Sequence, residues 1–170
     1  MDGERRLRIY LNDHLAATML ARELANRSLG RNRGSDLGTF LERFLEDQSR
    51  ERAMLLEAMR RMGVAPQTFK VAAAWVAERI GRLKPNGQLT GYSPLSRLLE
   101  IEGLLGLIRG ARSMWLALAR LDDERLLGLD LHERAERADR QMAELERIEL
   151  EFVPEALGTS GAGAPKPVEP

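Results

Sequence analysis

Apolar residues recur at spacings of three and four along four long segments of this chain. The first segment carries Leu7, Leu11 and Leu15, and the last carries Leu131 and Ala135. This spacing places the apolar side chains on one face of an α-helix, and that face must be buried against another element. The pattern therefore predicts an all-α fold, in which four long helices pack their apolar faces together as a bundle.

Residues that start and stop helices lie at the ends of these segments. Ser93 is a favourable N-cap, and Pro94 follows at the first helical position. Gly63 is expected to end the second helix in the left-handed conformation, and Pro154 is expected to end the fourth. The predicted helices cover residues 4–29, 36–62, 94–121 and 130–152.

The connection between the second and third helices is long. Residues 63–93 form a predicted crossover, which includes a short extra helix over residues 68–80. Such a length is unusual in a compact domain unless the chain returns along the bundle. Two hairpins joined by one long crossover are typical of ferritin-like bundles, so we predict a ferritin-like four-helix bundle for residues 1–153. Residues 154–170 are rich in Gly, Ala and Pro and are expected to form a disordered tail.

The composition excludes several classes of chemistry. The chain has no cysteine, which rules out disulfides, thiolate metal sites and thiol catalysis. Its 26 basic and 26 acidic residues balance, so nothing indicates a nucleic-acid-binding surface. No apolar stretch approaches the length of a membrane span, and the charged N-terminus does not resemble a signal peptide. We therefore expect a cytoplasmic protein that binds neither nucleic acid nor membrane.

Four polar residues interrupt the apolar stripes. They are His14 on the first helix, Gln48 and Glu51 on the second, and Glu102 on the third. The third helix is the most apolar of the four, so Glu102 is expected to be buried there. A buried carboxylate is costly without a partner, and these residues therefore need a structural or functional explanation.

The first hairpin is expected to place His14 and Glu51 at the same height. His14 lies 16 residues before Gly30, and Glu51 lies 17 residues after Gly34. Because the two helices run antiparallel on either side of this turn, the two side chains should face each other. Glu102 enters early in the third helix and is expected roughly two turns away.

These residues support two interpretations. The preferred one is a structural polar layer, in which His14 pairs with Glu51. In that layer Glu102 pairs with an arginine such as Arg109 or Arg112. The alternative is a metal site in which His14, Glu51 and Glu102 bind iron or manganese. Ferritin-like metal sites use Glu-x-x-His motifs on two helices, and this chain has none. No cofactor is therefore predicted, and iron or manganese is kept as the alternative.

The crossover carries a second group of candidate residues for a ligand or a partner. Arg79, Arg82 and Lys84 concentrate positive charge near the aromatic Trp75, and Tyr92 follows at the junction with the third helix. An anionic partner would suit this cluster. The alternative is that Tyr92 and its neighbours simply build a turn and the cap of the third helix.

Three stretches of the chain carry a resemblance to a known family. They are residues 10–15, residues 75–84, and residues 89–98, which read Leu-Thr-Gly-Tyr-Ser-Pro-Leu-Ser-Arg-Leu and precede Glu100 and Glu102. They resemble an uncharacterised bacterial family whose helical plan is similar to that of ferritin-like proteins. The resemblance covers residues 5–150. It implies a ferritin-like fold and an iron site, and it implies no established activity.

The sequence favours a protein that is not an enzyme. The first hypothesis is a non-catalytic binding or structural bundle of unknown ligand, which forms a homodimer. The second is an atypical carboxylate protein that binds iron or manganese. The third is an adaptor for an anionic partner, which it binds through the basic residues of the crossover.

Overall fold

The computed structural model describes residues 2–67 and 92–158. Within these residues the chain forms four long helices and no strand, which confirms the prediction of an all-α four-helix bundle. A short 3-10 helix, Glu124–Leu126, lies in the turn between the last two of them. The long helices are α1 (Gly3–Asn32), α2 (Asp36–Arg61), α3 (Pro94–Arg120) and α4 (Leu131–Leu157).

The tight turn between α1 and α2 depends on two glycines and a serine cap. Gly34 adopts a φ of 78°, which is the left-handed region that glycine tolerates best. The Ser35 hydroxyl accepts a hydrogen bond from the Gly38 backbone N–H at 3.2 Å. A Cβ at Gly38 would lie 2.2 Å from the Asn32 carbonyl oxygen, so only glycine allows the chain to return this closely.

The predicted helix ends at the crossover are confirmed. Ser93 caps α3 through its side chain, and Pro94 occupies the first helical position. Gly63 has a φ of 69°, and the Val64 N–H donates to the Met59 carbonyl oxygen at 2.8 Å. This pairing satisfies a carbonyl that the end of α2 would otherwise leave free.

The prediction that Pro154 ends the fourth helix is wrong. Helix α4 continues to Leu157, and the Gly158 N–H donates to the Pro154 carbonyl oxygen at 2.9 Å. Proline removes one N–H donor but leaves its own carbonyl free to accept, so a helix that is already formed can pass through it. The predicted boundary between residues 153 and 154 therefore falls inside a helix, and residues 159–170 lie outside the described part.

Contacts between helices define the direction of each one. Helix α1 packs against α2 and α3, and α4 packs against α2 and α3. Glu100, near the start of α3, pairs with Arg27, near the end of α1. Arg134, at the start of α4, pairs with Glu51 in the second half of α2. Helices α1 and α3 are therefore antiparallel, and so are α2 and α4.

The helix directions determine where the connection between α2 and α3 begins and ends. Helix α2 ends at one end of the bundle, and α3 begins at the opposite end. The two ends of the connection between α2 and α3 therefore lie at opposite ends of the bundle. The predicted short helix over residues 68–80 lies outside the described residues. No helix among the described residues is long and apolar enough to cross a membrane.

The apolar core divides into two clusters along the bundle axis, and all four long helices contribute to both. Trp115 is the largest side chain of the first cluster, and the stacked rings of Phe40 and Phe44 lie in the second. On α2 the first cluster includes Leu55, and the second ends at Phe44. Gln48 and Glu51 lie between these positions. The two polar residues that the sequence predicted to interrupt the stripe of the second helix therefore occupy the gap between the two clusters.

Candidate functional site

A small cavity lies at this gap, and all four helices line it. Its apolar walls include Phe44, Ile108 and Trp115. Its volume, counted as the space open to the centre of a water molecule, is about 30 Å³, which is room for roughly two waters or one very small ligand. The polar residues that line it are His14, Thr18, Gln48, Glu51, Arg134, Arg137 and Gln141, and the Thr18 hydroxyl donates to the Leu15 carbonyl oxygen of its own helix at 2.7 Å.

Glu51 forms an ion pair across the cavity wall. Its Oε1 accepts a hydrogen bond from Arg134 Nη1 at 2.9 Å, and the two side chains are only 11% and 14% exposed. The Arg134 guanidinium is also held by the Leu129 carbonyl oxygen at 3.3 Å and lies over the Trp115 ring. The other carboxylate oxygen, Glu51 Oε2, is buried and has no hydrogen-bond partner in the described part of the chain.

Burial and charge act in opposite directions on this carboxyl. Burial raises the pKa of Glu51 above its ordinary value, and the nearby Asp47 carboxylate raises it further. Arg134 and Arg137 lower the pKa of Glu51, but the pKa stays above its ordinary value, with burial as the largest single cause. The carboxyl therefore holds its proton more readily than an exposed glutamate does.

Two further polar side chains face this region without a partner. Gln48 is one helical turn before Glu51 and is 8% exposed, and its amide has no hydrogen bond within the described ranges. The same holds for the half-buried His14 imidazole, whose ring meets the Tyr10 ring edge-on at 4.6 Å. Burial lowers the pKa of His14, although Asp13 opposes this shift.

The remaining polar residues at the cavity are satisfied by one another. Arg137 donates to Glu133 at 2.9 Å and lies 3.6 Å from Asp47. The Gln141 amide donates to Asp47 at 3.0 Å. This side of the cavity therefore has its charges and hydrogen bonds paired, in contrast to Gln48, His14 and one oxygen of Glu51.

The structure brings together two of the three residues predicted to bind a metal. His14 and Glu51 line the same cavity, as their spacing about the first hairpin predicted. Glu51 pairs with Arg134 rather than with His14, so the predicted pairing of these two is wrong. Among the described residues no three His, Asp or Glu side chains are grouped closely enough to hold a metal ion.

The predicted burial of Glu102 is wrong. Glu102 is exposed on α3, and it contributes with burial to the raised pKa of Glu149 on α4. Its predicted arginine partners pair elsewhere, Arg109 with Glu146 and Arg112 with Asp139. Because α3 is apolar on most of its surface, the sequence does not fix which of its faces turns inward.

Glu100 is the buried carboxylate of α3, and it belongs to a second polar cluster at the end of the bundle. It is 8% exposed. Its Oε1 lies 3.2 Å from Arg27 and 3.6 Å from Arg31, and its Oε2 accepts from the Tyr92 hydroxyl at 3.2 Å. The Tyr92 hydroxyl in turn accepts from the Asn32 amide at 2.9 Å. We call these five residues the end cluster.

The residues predicted to bind a ligand or partner in the crossover are described only in part. Trp75, Arg79, Arg82 and Lys84 lie outside the described residues. Tyr92 is described, and its hydroxyl and ring are engaged by the end cluster, with the Arg31 guanidinium 4.9 Å from the ring centre. The contacts of Tyr92 therefore anchor the junction between the crossover and α3.

Sequence reasoning missed Arg134, and it named Glu100 only beside the family resemblance, without predicting its burial. A signal for Arg134 exists, because α2 and α4 pair in an antiparallel register. Arg43 contacts Glu144 and Glu51 contacts Arg134, so a step forward along α2 matches a step back along α4. That register becomes visible only after α4 is known to neighbour α2.

Comparison with known protein families, with curated proteins and with solved structures found no match to this chain. The fold and the two polar clusters therefore have to be interpreted from their own chemistry. The resemblance to a bacterial family and the ferritin-like assignment remain predictions.

Proposed function

We propose that this chain is a non-catalytic binding protein that takes a small polar molecule into the cavity between its four helices. The observation that carries the proposal is the buried Glu51 Oε2, which has no hydrogen-bond partner among the described residues and lines one cavity with the Gln48 amide and the His14 imidazole, which also form no hydrogen bond there. A buried polar group without a hydrogen bond is costly. A ligand that supplies the missing hydrogen bonds recovers that cost on binding.

The paired side of the cavity supports binding rather than catalysis. Arg134 and Arg137 are held by carboxylates, and His14 has no carboxylate or hydroxyl within hydrogen-bond distance in the described part. General acid–base and nucleophilic catalysis need a base that is oriented by a third group and placed beside a nucleophile. Rigid, paired charges around apolar walls are instead typical of a ligand pocket.

A fragment screen by ligand-observed NMR tests this proposal, with two matched variants of the full chain. Gln48→Leu removes an unpartnered amide at the cavity, and Gln141→Leu removes an amide that is already bonded to Asp47. We expect small polar fragments to bind the unaltered protein and Gln141→Leu, and to lose binding in Gln48→Leu. Fragments that bind Gln48→Leu equally well, or no bound fragment at all, would mean that the polar layer is only structural.

An iron or manganese site is a second candidate, because His14 and Glu51 line one cavity as a ferritin-like protein would need. The position of Arg134 disfavours a metal site, because its guanidinium already pairs with one Glu51 oxygen and repels a cation. Elemental analysis of protein purified without a metal-binding tag, after exposure to iron and manganese, separates the two candidates. Metal retained by the unaltered protein and lost in Glu51→Gln would favour the metal site over the polar ligand.

A further inference from the structure

The fixed charges around the cavity are already balanced. Glu51 is paired with Arg134 at 2.9 Å. Arg137 lies between Glu133 at 2.9 Å and Asp47 at 3.6 Å. A charged ligand would therefore enter a site that offers no unpaired charge of the opposite sign, and a buried charge without such a partner is strongly unfavourable.

The polar groups that remain free can serve an uncharged ligand. Glu51 Oε2 can accept a hydrogen bond, the Gln48 amide can donate and accept, and a neutral imidazole at His14 does one of each. Among the described residues that line the cavity, no charged donor is left over to hold an anion, and an anion would also face the Glu51 carboxylate. A cation would face the Arg134 guanidinium.

We propose that the ligand of this cavity is a small uncharged molecule that both donates and accepts hydrogen bonds, of the chemical class of a primary amide. The inference rests on the proposed function, because it names the ligand class of the same cavity. The amide N–H donates to Glu51 Oε2, and the amide oxygen accepts from Gln48 or His14. The short apolar end of the ligand lies against walls such as Ile108 and Met114.

Three probes of one shape and different charge test the ligand class on the unaltered full-length protein. Acetamide is neutral, acetate is an anion and acetamidinium is a cation, and all three are planar and of nearly equal size. Each is titrated at neutral pH while the side-chain amide resonance of Gln48, assigned with Gln48→Leu, is followed by NMR. We expect a saturable shift with acetamide, with a Kd in roughly the millimolar range because so few atoms bind.

The outcomes separate this inference from the proposed function. Saturable binding of acetate or acetamidinium as tight as that of acetamide would overturn the ligand class and leave a ligand-binding cavity. If none of the three probes binds while the fragment screen finds other cavity ligands, the class is again wrong and the function stands. If neither experiment finds a ligand, both proposals are wrong.

Glu51→Gln tests the charge argument by an expected gain of anion binding, where the unaltered protein is expected to show none. The substitution removes the negative charge that balances Arg134 and keeps a side chain of the same shape. We expect this variant to gain acetate binding that the unaltered protein lacks. A folded Glu51→Gln protein that still ignores acetate would overturn the charge argument. If the variant does not fold, the three probes on the unaltered protein still decide the ligand class.

Discussion

Among the described residues, two buried glutamates pair with arginine, and the two differ in which carboxylate oxygens remain without a hydrogen bond. Glu100 in the end cluster has both carboxylate oxygens engaged, by Arg27 and Arg31 on one side and by the Tyr92 hydroxyl on the other. Within residues 2–67 and 92–158, Glu51 has only one oxygen engaged, by Arg134. The hydrogen bonds of the end cluster are therefore complete, whereas the cavity has hydrogen-bonding groups that the described part of the chain does not use.

The surroundings of the two pairs differ as well. Arg27 and Arg31 are each 47% exposed, while Arg134 is 14% exposed. If Glu100 is removed, its arginines turn toward water at little cost. If either partner of the Glu51 pair is removed, a charge is left in the interior. The comparison teaches that the pair beside the cavity is the more costly one to break.

Arg134→Met should give the largest effect. It leaves the buried Glu51 without its cation, and we expect a loss of about 3–5 kcal/mol in the free energy of unfolding at pH 7. Denaturant unfolding measures this loss. Arg43→Met is the matched control, because Arg43 and Glu144 join the same two helices at an exposed position; it should cost less than about 1 kcal/mol.

The paired replacement of Glu51 and Arg134 by methionine sharpens the same prediction. Apolar side chains of similar size remove both buried charges, so stability should return to near that of the unaltered protein or exceed it. An Arg134→Met loss no greater than that of Arg43→Met would contradict the view that this pair is the more buried and costly one.

Tyr92→Phe should leave the end cluster with an unpaired buried carboxylate oxygen, as the cavity already has at Glu51 Oε2. It leaves Glu100 Oε2 without its donor and the Asn32 amide without one acceptor. We expect a loss of about 1–2 kcal/mol, the cost of an unsatisfied buried group. Tyr10→Phe is the control, since the Tyr10 hydroxyl has no hydrogen bond in the described part. Equal losses in both variants would remove the distinction between a complete cluster and an incomplete one.

Part of the fold and part of the candidate site could be predicted from sequence alone. The heptad-like spacing predicted four helices, and the count of residues about the first turn placed His14 and Glu51 at one height. The length of the predicted crossover, residues 63–93, predicted a return along the bundle. These are properties of chain geometry, which the order of residues determines without knowledge of any neighbouring helix.

The partners could not be predicted in the same way. Glu100 and Glu102 are two residues apart, and two residues correspond to about 200° around a helix. Only the rotation of α3 against α1 decides which of them is buried. To predict that Arg134 pairs with Glu51, the register between α2 and α4 must be known, and that register depends on packing across the whole bundle.

The pH dependence of the Glu51 pair gives a smaller and more specific effect. Burial raises the pKa of Glu51 in the folded protein. At pH values above 4.5, the ordinary pKa of the group, the folded state therefore binds more protons than the unfolded state. The stabilisation is therefore fully present below pH 4.5 and is lost as pH rises through the folded pKa. The stability of the unaltered protein relative to Glu51→Gln should fall across that range.

Urea unfolding at a series of pH values from about 4 to 7 measures this dependence. Glu46→Gln is the matched control, because Glu46 lies on the same helix and is exposed. A stability difference between the unaltered protein and Glu51→Gln that does not change with pH would show that burial does not dominate at this carboxyl.

Substitution of His14 should have the smallest effect on stability, and the pH dependence due to His14 is opposite in direction to that due to Glu51. Burial lowers the pKa of His14 below its ordinary value of 6.5, so the unfolded state binds the extra proton first as pH falls. Stability is therefore lost below pH 6.5 in the unaltered protein and should be lost less in His14→Gln. His132→Gln is the control, because His132 is exposed at the start of α4. If both variants change the pH profile equally, His14 is not buried against the cavity, and it ceases to be a candidate hydrogen-bonding group for a ligand there.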